Sequence, residues 1–105
     1  MRVLLLNPPF RFKVSRDSRW PEHTKSGTLY YPFWLAYATG LLMQESDHEV
    51  LLLDAIAKNW NFDETLKRIE KFKPDLVVIE TTTPTFSSDA RFAKELKKRI
   101  KCKIC

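Results

Sequence analysis

The sequence predicts an α/β fold, an open parallel sheet with helices on both faces, and three observations carry that prediction. Short apolar runs recur along the chain as Val3-Leu4-Leu5-Leu6, Val50 to Leu53 and Leu76-Val77-Val78-Ile79. Segments with apolar residues at helical spacing separate them. Each run is uninterrupted and closed by turn or polar residues, as in strands buried on both faces of a parallel sheet. At 105 residues the chain, read as 1-105, is long enough for one apolar core and too short for two.

The first strand opens at the first residues and ends at Asn7-Pro8-Pro9. The segment from Asn7 to Tyr31 carries three prolines, Gly27 and several charges without a sustained period. It reads as a long ordered loop, and such loops in small domains are usually functional. Pro32 suits the first position of a helix, because its φ is preset and its missing N–H costs nothing there. Trp34, Tyr37, Ala38, Leu41 and Leu42 then form a stripe predicted to pack on the sheet, with the helix ending near Ser46-Asp47. The second strand, Val50 to Leu53, is closed by Asp54.

Asn61 and Glu64 have capping-box spacing, and Phe62, Leu66, Ile69 and Phe72 continue at helical spacing until Lys73-Pro74. The third strand exits through Thr81-Thr82-Thr83-Pro84-Thr85. Ser87 or Ser88 is the expected cap of a third helix with Phe92, Ala93, Leu96 and Ile100 inward. Cys102 to Cys105 alternates as a strand does, so both cysteines are expected to be buried in a fourth strand, where the sequence stops with the sheet incomplete. An open edge of that kind predicts dimerisation, swapping or aggregation along it.

Composition removes several function classes. Apolar residues make up 44% and charged residues 30%, and no stretch approaches the ~20 apolar residues of a membrane span. The first apolar run is too short for a secretory signal and no small-residue cleavage site follows it, so the expected location is cytoplasmic. The net charge of +5 is concentrated in Arg91, Lys94, Lys97, Lys98, Arg99, Lys101 and Lys103, which face only Glu95. No aromatic residues interleave with these charges, so a solvated helix face is favoured over a nucleic-acid surface. The lone CxxC is half of a four-ligand zinc site with nothing to complete it, and it follows a helix instead of opening one.

The β-α-β-α-β-α-β order with right-handed crossovers points to the flavodoxin-like, broadly Rossmann-like, arrangement. There the first and third strands are neighbours at the switch point, and ligands sit outside their carboxyl ends. That places the loop from Asn7 to Tyr31 beside Thr81 to Thr85, with Asp54 at the margin. The only glycines are Gly27 and Gly40, so neither a glycine-rich dinucleotide turn nor a P-loop is present. A phospho-receiver needs an acceptor aspartate where Glu80 stands and an acidic pair where Asn7 stands. A flavin phosphate loop would want more N–H donors than a proline pair supplies. Glu80 is expected to be partly buried with a structural role, and His23 and His48, the only histidines, lack metal-ligand spacing. Four hydroxyls in five residues from Thr81 to Thr85 could line a polar ligand or serve only as strand and turn.

The residues Met1 to Phe10, Thr24-Lys25-Ser26-Gly27-Thr28-Leu29-Tyr30-Tyr31-Pro32, Trp34 to Gly40, His48 to Ala55 and Lys73 to Pro84 together closely resemble the N-terminal cobalamin-binding domain of B12-dependent radical SAM proteins. The resemblance implies a domain that holds cobalamin at the carboxyl ends of its strands and presents it to a radical SAM domain of the same parent chain. That partner domain would carry a 4Fe-4S cluster and S-adenosylmethionine, and many such parents are methyltransferases. No CxxxCxxC motif occurs here, so these 105 residues alone are expected to catalyse nothing. Two positions depart from the wider cobalamin-binding pattern. Asn7-Pro8-Pro9-Phe10 replaces DxHxxG, so no histidine cobalt ligand is expected from that loop, and Glu80 replaces a serine after the third strand. The implied cofactor contacts are Asn7, Pro8, Pro9, Phe10, Ser26, Gly27, Thr28, Leu29, Tyr30 and Tyr31 near the corrin, Asp54 at the margin, and Thr81, Thr82, Thr83 and Thr85 near the nucleotide tail. With later loops lacking, the affinity of this stretch alone is expected to be weak. The alternative is a non-catalytic receiver-like or interaction module of the same fold.

Overall fold

The structure, a computed structural model, describes residues 1–16 and 29–105. Its elements run β1 (Arg2–Asn7), α1 (Phe33–Glu45), β2 (Glu49–Asp54), α2 (Phe62–Phe72), β3 (Leu76–Ile79), a 3-10 turn (Thr83–Thr85), α3 (Phe86–Arg99) and β4 (Lys103–Ile104). The strands form one parallel sheet in the order β2-β1-β3-β4. This is the expected flavodoxin-like open sheet, with β1 and β3 adjacent.

Alternation along β1 explains why its sequence is apolar at every position. Successive side chains point to opposite faces, and both faces are covered. Leu4 and Leu6, with Val77, meet Leu66, Ile69, Phe92 and Leu96 from α2 and α3. Val3 and Leu5 meet Leu35 and Leu42 of α1, flanked by Val50, Leu52, Leu76 and Val78. The two edge strands are joined to this centre by register pairs such as Asn7 with Asp54 and Val77 with Ile104.

Local signals set the helix ends. Asn61 accepts the Glu64 N–H at 2.9 Å as the expected cap of α2. Lys73 closes α2 in the left-handed region (φ 54°), with its N–H on the Ile69 carbonyl. The expected serine cap of α3 is corrected. Thr82 and Thr85 make a reciprocal capping box around the 3-10 turn, and α3 continues from it, so Ser87 and Ser88 lie inside the first helical turn.

Three further expectations are overturned. Pro32 is the residue before α1, not its first, and of the stripe expected to pack on the sheet only Leu42 does so. Leu35 is buried and Leu42 packs beneath it, while Trp34, Tyr37, Ala38 and Leu41 are exposed. The helix is apolar nearly all round, so its sequence does not mark one face. Cys102 is buried in the α2–α3 core but Cys105 is exposed, because β4 is a short edge strand.

The amino end of the sheet is held by polar contacts. Arg2 donates to Glu49 at 2.8 Å and to the Phe72 carbonyl at 2.9 Å. His48 is exposed beside the Met1 amino group, at the end of the sheet opposite the strand-exit loops. The basic residues of α3 are solvated, and Arg99 lies 3.3 Å from Asp63 and 3.6 Å from Glu70. Among the described residues, no helix is long and apolar enough to cross a membrane.

Candidate functional site at the carboxyl ends of the strands

Parallel strands deliver their exits to one edge, and here the exits of β1, β2 and β3 are tied by a buried polar network. The Asn7 amide donates to Asp54 Oδ1 at 2.9 Å, and the same oxygen accepts the Ala57 N–H at 3.0 Å. Asn7 Oδ1 in turn accepts from Arg16 at 2.9 Å. The Arg16 side chain is 0% exposed, although it belongs to the loop after β1. Its guanidinium also donates to the Pro8 carbonyl at 2.8 Å, to Thr85 Oγ1 at 3.3 Å and to Asp89 Oδ1 at 2.9 Å.

Asp89, on the first turns of α3, is the counter-charge. Its other oxygen accepts from Thr81 and Thr85 hydroxyls, each at 2.7 Å. Burial pulls the Arg16 pKa down, and the adjacent Asp89 carboxylate is the main influence in the opposite direction. Buried charges are tolerated when paired and hydrogen-bonded, and here Asp89 pairs with a guanidinium that makes four hydrogen bonds. The network therefore clamps the loop after β1 onto the start of α3. Glu80 is half-buried at the end of β3, as expected, and close enough to Arg16 to act on its charge. Its backbone N–H donates to the Leu6 carbonyl at 3.0 Å.

The residues singled out in the sequence divide by exposure. Asn7, Pro8, Pro9, Thr82 and Thr85 are buried, and the Asn7 and threonine side chains are used within the clamp. Phe10, Leu29 and Asp54 are half-buried; Tyr30, Tyr31, Thr81 and Thr83 are exposed. Phe10 sits under the Arg16 guanidinium at 5.6 Å and edge-on to Phe12 at 6.1 Å. Ser26, Gly27 and Thr28, together with His23, lie outside the described residues.

Three depressions flank the clamp. Toward β4, Thr81, Thr82, Thr83 and Phe86 line an open hollow of about 430 Å³. Beside it, a pocket of about 150 Å³ includes Ile79, Ala90, Ala93 and Cys105. Toward β2, a cavity of about 570 Å³ lies among Phe10, Arg11, Trp60, Phe62 and Arg91. Among the described residues no group of three His, Cys, Asp or Glu side chains could hold a metal ion.

Arg16 and Asp89, the core of the clamp, are absent from the set of residues the sequence suggested. The only local hint is spacing: Thr85 and Asp89 are one turn apart, with Asp89 on the face that also carries Phe92 and Leu96. An acidic residue on a helix's inner face calls for a buried cation.

These features define a class first: an open parallel α/β domain whose strand-exit loops gather at one clamped edge. Over 103 residues, the chain is 30% identical to an uncharacterised methyltransferase of Pyrococcus horikoshii. That match takes in 95% of this chain and 20% of the methyltransferase, so the chain spans about a fifth of the relative's length. No family model matches the sequence. No solved structure matches it either.

Proposed function

We propose that this chain is a cobalamin-binding module that holds the cofactor across the carboxyl ends of β1 and β3 for a methyltransferase of the radical SAM kind. The observation that carries the reading is the clamped edge. Arg16 and Asp89 bring the loops after β1 and β3 together at the switch point, where open α/β sheets take their ligands. The similarity to a protein named as a methyltransferase, which extends well beyond the matched fifth, agrees with a module serving a larger enzyme.

The residues at this edge suit the cofactor's chemistry. A corrin is a wide disc with an apolar face and an amide-bearing rim. The exposed Thr83 hydroxyl offers a donor and an acceptor to such amides, Thr81 Oγ1, whose proton goes to Asp89, offers an acceptor, and Phe10, Tyr30 and Phe86 offer aromatic surface. The hollow at Thr81 to Phe86 is of a size for one arm of the cofactor, not for the whole of it. When bound, cobalamin would supply a cobalt centre able to carry a methyl group. Asn7, Pro8, Pro9 and the described Leu29 to Tyr31 belong to the corrin side of this proposal. Ser26, Gly27 and Thr28 extend it on the sequence resemblance alone. Thr82 and Thr85 act by holding the exit loop in shape, and Asp54 by holding Asn7. S-adenosylmethionine and a 4Fe-4S cluster belong to the partner domain of the parent chain.

The test is retention. The chain, and in parallel the longer protein that contains it, is mixed with hydroxocobalamin and passed through gel filtration. The red chromophore is expected to travel with the longer protein and more weakly with the 105-residue chain. Free elution of the cofactor from both would end the proposal.

A further inference from the structure

We propose that the β2-side cavity is a separate binding site for a phosphate ester carried on a planar heterocycle, a mononucleotide gripped by side chains instead of by a glycine-rich backbone turn. The first argument is charge. Arg2, Arg16, Arg68 and Arg99 each have a carboxylate within ion-pair distance. Among the described arginines, Arg11 and Arg91 have none, and both line this cavity. No Asp or Glu does.

The second argument is how those two cations are held. Arg11 lies over Phe12 at 4.9 Å and near Phe10 at 5.9 Å, and Arg91 lies over Phe62 at 5.7 Å. Cation–π contact orients a guanidinium without neutralising it. Its planar N–H fork stays available for a bidentate pair of hydrogen bonds to a phosphate. The two arginines come from different elements, the loop after β1 and α3, so they close on the cavity from different walls.

The third argument is the rest of the lining. Trp60 and Phe62 supply aromatic walls for a ring, and Ser87 and Ser88 supply hydroxyls from the opening turn of α3. A volume of about 570 Å³ falls within the range for small-molecule sites. The cavity is distinct from the β4-side hollow, in which Arg11, Trp60, Phe62 and Arg91 take no part, and it meets the proposed corrin side only at Pro9 and Phe10. Cobalamin also bears a phosphate and a heterocycle, so the experiment must separate the two sources.

AMP is titrated into the full 105-residue chain by calorimetry, with inorganic phosphate and adenosine as partial ligands. AMP is expected to bind at least about tenfold more tightly than either part. Arg11→Ala and Arg91→Ala, both at exposed positions, should each weaken AMP by roughly tenfold or more while Arg99→Ala, whose ion pairs lie outside the cavity, does not, with circular dichroism verifying that all three fold. AMP binding no tighter than phosphate, or equal binding by the two arginine variants and the parent, overturns the proposal. Saturating hydroxocobalamin should leave AMP binding intact; displacement of AMP would overturn the separateness of the site.

Discussion

At the scale of single residues the molecule turns on Arg16. A buried guanidinium is stable only while its partners remain, and among the described residues Asp89 is the one carboxylate that pairs with it. Asp89→Ala should destabilise the chain by about 3–5 kcal/mol, because it strands a buried cation. Replacing both partners with apolar residues, Arg16→Met with Asp89→Leu, should cost clearly less. Urea denaturation midpoints of the three variants check this, and a double variant worse than Asp89→Ala would contradict it. The sequence could not show the clamp. Arg16 sits in a basic, proline-containing segment, and whether such a cation is solvated or buried depends on the path of the loop, which no local pattern encodes. Asn7 and the threonine run were legible as a converging site, since strand order alone brings them together; that several are spent on each other depends on side-chain packing, which strand order does not fix. The cysteines offer a second residue-level test. Burial pushes the Cys102 thiol pKa up, with nearby Lys97 acting the other way, and Cys105 is exposed. Thiolate is the reactive form, so at neutral pH iodoacetamide should label Cys105 first and Cys102 only on unfolding. Mass spectrometry of partly labelled protein would contradict this if the two reacted alike.

At the scale of elements, legibility follows contrast between faces. α2 presents Leu66 and Ile69 to the core and charges to solvent, and its cap, span and inward face were all readable. α1 has Phe33, Trp34, Leu35, Tyr37, Leu41, Leu42 and Met43 spread around its circumference, so two stripes satisfy the same period. Packing chose Leu35 and Leu42 over Trp34 and Leu41. Leu35→Ala should therefore cost about 2–5 kcal/mol. Trp34→Ala, at a position 62% exposed, should change stability by only about 0.5 kcal/mol. Thermal denaturation of the pair decides the matter, and the reverse ranking would restore the stripe that the sequence suggested. The start of α3 carries a similar lesson. Serine at a helix start is a good generic cap, but Thr82 and Thr85 reach the chain first and build a capping box one turn earlier.

At the scale of the whole molecule, the sheet order was legible because apolar parallel strands joined by right-handed crossovers leave few arrangements. The consequence for function is placement. β1 and β3 end side by side, Arg16 and Asp89 fix their loops, and one hollow opens on each flank. A cofactor laid across this edge would meet Thr81, Thr83 and Phe86 on one side of the clamp and Phe10 beside Arg16. The most direct measurement is a crystal structure of the protein with hydroxocobalamin. The corrin is expected over the carboxyl ends of β1 and β3, in contact with Phe10 and Thr81 or Thr83, with no ligand to cobalt from residues 7–10. Cobalamin bound at the amino end near His48, or away from these loops altogether, would contradict it.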